Sequence, residues 1–330
     1  MCKVQYVRVI ALLLGVFLLV AETSCTTSQK MKKKAALERQ VTLVTDGNHS
    51  PFQQTSPSYK VGIALSGGGA RGFAHAGFLK AMDELGIKAG IISGTSAGAI
   101  AGAMYASGMA PDSMLKVFGN IRLLLLPRLR LKSNHTTDTS EIKKERERLL
   151  IYNTKDIERI LKITLPDSTF EGLKIPLVVN ATNLEKGQNT YFHQGDLIHP
   201  VVASSAIPMV FSAVEIGGSR FVDGGVMQNL AVSPIRNVCK YVIAVSVNPM
   251  EDYSSMPKMQ EADWERVFRL MVRANTLKDR EMADLFIEPV DLVHYKVTDT
   301  KQSEEMFWIG YREGKKALSD FIRLHPDVLQ

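Results

Sequence analysis

The chain reads as a three-layer α/β/α fold with a mostly parallel central sheet, a helical insertion and C-terminal helices. Three observations carry that reading. A short apolar strand, a turn and a helix occur twice in succession, over Val61–Leu85 and Gly90–Ala106. Further strands of buried type follow, notably Pro176–Thr182 and Tyr241–Val247. Two amphipathic stretches close the chain, Glu261–Ala283 and Ser303–Leu324. Consecutive β-loop-α units lay parallel strands side by side and cover them with helices.

Composition bounds the function. The 330 residues are 45% apolar, ample for one large core or two small ones. The net charge of +6 suits an anionic surface such as phospholipid head groups and is too weak to indicate nucleic acid. The three cysteines, Cys2, Cys25 and Cys239, imply neither a disulfide framework nor a metal site. No cofactor is implied. Cys239 reads as a small core residue.

Residues 1–24 read as an export signal. Lys3 and Arg8 precede an apolar run, Val9–Ala21, too short for a comfortable membrane span. The run ends at Ser24-Cys25, which resembles a bacterial lipoprotein signal with Cys25 as the lipidated first residue. Ser24 fits; Glu22 and Thr23 stand where such signals carry an aliphatic and a small residue. Secretion without lipid and an uncleaved anchor stay open beside it. The expected location is exported and membrane-anchored, facing the periplasm or the cell surface. Residues 25–58 read as a tether. Its basic cluster at Lys30 and Lys32–Lys34 suits anionic head groups, or equally a solvated linker.

The globular part starts at Tyr59. Val61–Ser66 is a strand, Gly67-Gly68-Gly69-Ala70-Arg71-Gly72 a glycine-rich turn, and Phe73–Leu85 a helix stopped by Gly86. Gly90–Ser93 is the second strand, and Ala97–Ala106 a helix of small residues. Residues 112–169 break the alternation and read as a helical insertion or lid. It holds a Leu/Arg stretch at Leu123–Lys132 and helices at Ser140–Ile151 and Thr154–Leu165, with Thr154 as N-cap. After the Pro176–Thr182 strand, Lys186-Gly187 turns the chain into Asn189–His193. Leu197–Ser204 is a short helix, and Phe211–Ile216 and Arg220–Val222 flank a Gly217-Gly218 hairpin. The principal domain is expected over 59–237. Residues 238–330 form an extension that completes the sheet and its helical layer.

Chemistry concentrates in three motifs. Gly94-Thr95-Ser96-Ala97-Gly98 is a G-x-S-x-G between a strand and a helix, the arrangement that drives a serine out at a strained corner. The Cβ-free Gly67–Gly69 can turn several backbone N–H groups toward one point, as an oxyanion hole requires; that hole is expected along Gly67, Gly68, Gly69, Ala70, Arg71 and Gly72, and the N–H of Ala97 can join it. Asp223-Gly224-Gly225 places a carboxylate at a strand end, where it can face Ser96 as the base.

Together these resemble the patatin-like phospholipase family, over about Tyr59–Asn237. The resemblance implies that Gly67, Gly69 and Gly72, around Arg71, form the oxyanion hole. It implies that Ser96 is the nucleophile and Asp223 the base of a Ser-Asp dyad, acting through an acyl-enzyme on ester bonds of phospholipids or related acyl lipids at a membrane surface. Ala203–Pro208 also resembles a family block. Departures are Asn183, where an aspartate is common, and Asn229-Leu230-Ala231, which lacks a proline; neither was expected to carry chemistry. Arg71 can bind a substrate phosphate or pair with a carboxylate to brace the turn. Ser204 and Ser205 read as structural.

Other classes fare worse. A triad completed by His294 or His325 has the needed chain order but no convincing strand-end loop before either histidine. Nucleotide binding is not expected: the glycine turn lacks both the acidic residue about 20 positions on and a G-K-[ST]. A catalytically silent lipid-binding protein on the same fold is the remaining alternative.

Overall fold

The computed structural model describes residues 51–52, 56–117, 154–249 and 263–329. The export signal with Cys25, most of the tether, the Leu123–Lys132 stretch and the helix expected at Ser140–Ile151 lie outside the described residues.

The two predicted β-loop-α units are present. β1 (Tyr59–Leu65) leads through a 3-10 turn (Gly69–Gly72) into α1 (Phe73–Glu84). Gly86, at φ 78°, ends α1 in the left-handed conformation that glycine tolerates. β2 spans Ile91–Thr95, two residues further than the sequence suggested, and α2 is Ala97–Ala106. Every residue of β2 is buried, so nothing in the apolar pattern marks where it stops.

α3 (Lys155–Thr164) begins after Thr154 as expected, but the Thr154 side chain makes no capping hydrogen bond. That residue is already helical in φ and ψ, so its hydroxyl is not placed to reach the first free amides. β3 (Leu177–Asn183) and β4 (Gln188–Phe192) form an antiparallel hairpin. α4 (Ile198–Ser204) follows, then β5 (Val214–Ile216), β6 (Ser219–Asp223) and the short α5 (Ser233–Arg236). β5 starts three residues later than expected, and β7 (Cys239–Val245) sits two residues earlier. α6 (Asp263–Glu281), β8 (Leu285–Ile287) and α7 (Ser303–Leu324) complete the chain. β8 is too short for periodicity to reveal.

The sheet runs β5-β6-β3-β2-β1-β7-β8, with β4 also paired to β3. β3, β2, β1, β7 and β8 are mutually parallel; β4 and β6 run antiparallel to β3. One face buries Ala64, Ile91, Val178 and Val242 against Leu230, Val232 and Ile235. On the other, α2 approaches so closely that a Cβ on Gly102 would touch Ile92 and Leu177. α7 crosses α1 on glycines: Gly77 meets the backbone of Phe307, and Gly310 that of Ala74. Each fully buried aliphatic chain in such a core contributes about 1.5–3 kcal/mol.

β3 is the strand that organises the site. β2 pairs with it as far as Thr95 opposite Asn180. β6 arrives from the other direction and ends with Asp223 opposite Ala181. β4 occupies the opposite edge, since Val179 pairs with both Gly94 and Phe192. β2 and β6 therefore abut along one edge of β3, and their last residues stand on consecutive positions of it.

Candidate active site

That abutment brings Ser96 and Asp223 together. Ser96 follows β2 at φ 54° and ψ −120°, a left-handed conformation rare for any residue with a side chain. Such strain costs on the order of 1–3 kcal/mol and persists only where neighbours impose it. Here the Ser96 N–H donates to Ser204 Oγ at 2.8 Å, and Ser204 Oγ donates to the Asn180 carbonyl at 2.6 Å. Ser204 therefore fastens the strained corner directly to β3. Ser205, just past α4, donates back to the Val201 carbonyl of that helix.

Asp223 Oδ1 accepts the Gly225 N–H at 2.8 Å, and the Ser96 hydroxyl lies near enough to draw the carboxyl's pKa down. Both side chains are nearly enclosed, Ser96 at 5% and Asp223 at 2% exposure. Burial pushes the Asp223 carboxyl up to about 7, against the opposite pull of the Ser96 hydroxyl and the Gly225 N–H. A carboxylate poised near neutrality beside a serine hydroxyl can act as a general base there.

The glycine turn runs beside the serine. A Cβ on Gly67 would stand 3.1 Å from Ser96 Cβ, and one on Gly72 would stand 2.6 Å from Ala97 Cβ. Not all of the turn can supply an oxyanion hole. The amide of Gly67 donates to the Asn229 carbonyl at 3.1 Å, that of Ala70 to Val297 at 2.7 Å and that of Arg71 to Gly68 at 3.2 Å. These three are engaged in holding the turn, which corrects the expectation that the whole stretch Gly67–Gly72 offers donors. Among the described residues, the amides of Gly68, Gly69 and Ala97 have no acceptor. Arg71 is buried, and its Nε donates to the Tyr295 carbonyl at 2.7 Å, so it braces the turn through main chain. His75 Nε2 donates to the Ser66 carbonyl at 2.8 Å; burial lowers its pKa to about 4, leaving the ring neutral.

Several polar residues of the site were not anticipated. Asn229 is 2% exposed, and its Oδ1 lies 2.5 Å from where a Cβ on Gly67 would be and 2.9 Å from one on Gly225. It thus fills the space between the two glycine corners that flank Ser96 and Asp223. Asn180 Nδ2 donates to the Gln228 carbonyl at 2.6 Å and to Thr95 Oγ1 at 3.2 Å. An asparagine inside an otherwise apolar strand was the available signal for Asn180. Asn183, the other departure, accepts the amides of Glu185 and Lys186 at 3.0 Å each and shapes the β3–β4 turn.

Of the two histidines of the alternative triad, His325 lies at the far end of β1 from the serine. His325 stacks on Tyr241 and Phe321. Tyr241 pairs with Val61 near the start of β1, whereas Ser96 lies beyond Gly94, which pairs with Leu65 at its end. His294 is exposed at the end of a 3-10 turn.

Comparison with known proteins gives the family. Residues 63–235, more than half of the chain, match the family model described as patatin-like phospholipase. An uncharacterized NTE family protein of Mycobacterium bovis is 34% identical over 199 residues, covering 59% of this chain and 51% of that protein. A lysophospholipase of Aspergillus fumigatus is 31% identical over 199 residues, covering 58% of this chain and 12% of its own. The chain thus spans about half the length of the mycobacterial relative and a small part of the fungal one. Among solved structures, VipD from Legionella pneumophila aligns with a TM-score of 0.45 at 16% identity, covering 85% of this chain and 70% of that chain.

Proposed function

The chain belongs to the patatin-like phospholipase family, and from that premise we propose that it is a serine hydrolase of acyl lipids working through a Ser96–Asp223 dyad. The observation that carries the reading is the placement of Ser96, at a strained strand-to-helix corner, beside a buried Asp223 carboxyl, with the strands that carry them ending on consecutive positions of β3. Ser96 Oγ attacks the ester carbonyl carbon as Asp223 takes its proton. The amides of Gly68, Gly69 and Ala97 are the candidates to receive the oxyanion of the tetrahedral intermediate. Collapse breaks the ester bond, and Asp223 returns the proton to the departing alcohol. Water, deprotonated by Asp223, then attacks the acyl-enzyme, releasing the fatty acid and restoring the serine.

The lysophospholipases among the relatives support a phospholipid or lysophospholipid substrate. The basic balance of the chain and the cysteine after the apolar N-terminal run support an exported protein, lipidated at Cys25 and working at a membrane surface. Among the described residues no helix is long and apolar enough to cross a membrane. The test is a lipidomic comparison of membranes treated with wild type and with Ser96→Ala. Fatty acid and the matching deacylated lipid should accumulate with wild type only. Equal release by the two proteins would reject the serine, and release by neither would favour a silent lipid-binding protein.

A further inference from the structure

α6 lies wholly outside the region 63–235 that matches the family, yet two of its side chains reach into the loop that follows Asp223. We propose that Asn275 and Asp279 are positioning residues for this base loop, so that α6 is a working part of the active site. The proposal rests on the hydrolase reading above.

The two residues are four apart, hence neighbours on one face of the helix. That face is buried at Val272, Thr276 and Asp279, while Val267, Leu270 and Leu277 on the far side are exposed. Asn275 spans the loop. Its Nδ2 donates to the carbonyls of Gly225 (2.8 Å) and Val226 (3.3 Å), and its Oδ1 accepts the Asn229 N–H at 2.8 Å. Gly225 is the residue whose own N–H holds Asp223 Oδ1. Its N–H is thus held by the base and its carbonyl by α6. Asn229, gripped through its amide, is the residue whose side chain fills the space between the glycine corners.

Asp279 secures the far end. Its Oδ1 accepts the amides of Val232 (2.8 Å) and Ser233 (2.9 Å), and the Gln228 side-chain amide reaches both carboxylate oxygens at 2.9 and 2.8 Å. The Gln228 carbonyl in turn receives Asn180 Nδ2 and, at 3.3 Å, Thr95 Oγ1. Thr95 immediately precedes the nucleophile, so one buried polar network runs from α6 to both members of the dyad. Removing one member of such a buried network strands the groups it held and loosens what they position.

The experiment compares full-length wild type with Asn275→Ala and Asn275→Gln, measuring kcat, KM, thermal unfolding and the rate at which a fluorophosphonate labels Ser96. Asn275→Ala is expected to lower kcat and the labelling rate at least about tenfold, a barrier increase of about 1.4 kcal/mol. KM should stay within about twofold, because the lost interaction acts on the reacting groups and not on bound lipid. Asn275→Gln, which keeps both amide functions, should recover part of the loss. A folded Asn275→Ala protein with wild-type kcat, or one that loses only KM, overturns the proposal. Should Asn275→Ala fail to fold, Asp279→Asn and Asp279→Glu replace it. The glutamate keeps the charge facing the amides and should retain the higher kcat; equal values overturn the clamp. Absence of Ser96-dependent product from the wild type itself overturns the hydrolase reading and this proposal with it. An active wild type with indifferent variants overturns the clamp alone.

Discussion

Replacing Asp223 by Asn should disable the enzyme and stabilise the fold together. The carboxyl is buried, and its pKa stands at about 7 instead of 3.8. The sign follows from linkage. A pKa raised on folding contributes stability that is full below the unfolded value and is lost as pH climbs through the folded one. The raise is about 3 units, which at 1.36 kcal/mol each comes to at most about 4 kcal/mol of lost stability by about pH 8. Asparagine cannot ionise and keeps an oxygen for the Gly225 N–H, so it escapes that loss. Asp279, whose pKa is also raised, to about 6, is present in both proteins and cancels. Urea unfolding of wild type and Asp223→Asn should give similar stabilities near pH 4, with the variant ahead by roughly 1–4 kcal/mol near pH 8. Loss of a general base should cut hydrolysis by about 100- to 10,000-fold. A variant less stable than wild type near pH 8, or one that keeps most of its rate, would refute the reasoning.

Further outcomes are expected from the same geometry. The pH profile of kcat/KM should rise through about 7 as Asp223 loses its proton; a profile flat from pH 5 to 9 would remove Asp223 as the titrating base. Ser204→Ala leaves the Ser96 N–H without its acceptor, so urea unfolding should show a loss of about 1–3 kcal/mol and assays a lower kcat. Unchanged values for both would mean the corner holds itself. The double variant His294→Ala, His325→Ala should hydrolyse lipid at the wild-type rate in the same assay, because neither ring belongs to the dyad.

Legibility in the sequence followed the physical origin of each feature. Glycines and strand-to-helix corners leave local marks, so Ser96, Asp223 and the Gly67–Gly72 turn could be placed by eye, as could both β-loop-α units. The halves of the site meet through β3, where β2 and β6 share an edge, and such non-local strand pairing leaves no local pattern. Ser204 reads correctly as structural, but that it ties Ser96 to β3, and that Asn229 fills the space between the glycine corners, follows only from that pairing. Asn275 and Asp279 sit in a helix full of charge, where a buried amide and a buried carboxylate look like solvated ones. The oxyanion donors were overcounted because sequence shows which amides lack a Cβ beside them, not which are already bonded.

The most direct test of the account is to locate the adduct. Wild type and Asp223→Asn, both full length, are treated with a fluorophosphonate, digested and mapped by mass spectrometry. The expected result is a single adduct on the peptide containing Ser96, formed far more slowly when Asp223 is replaced. Hydrolysis of lipid by a wild type that carries no adduct at Ser96, or equal labelling of the two proteins, would contradict it.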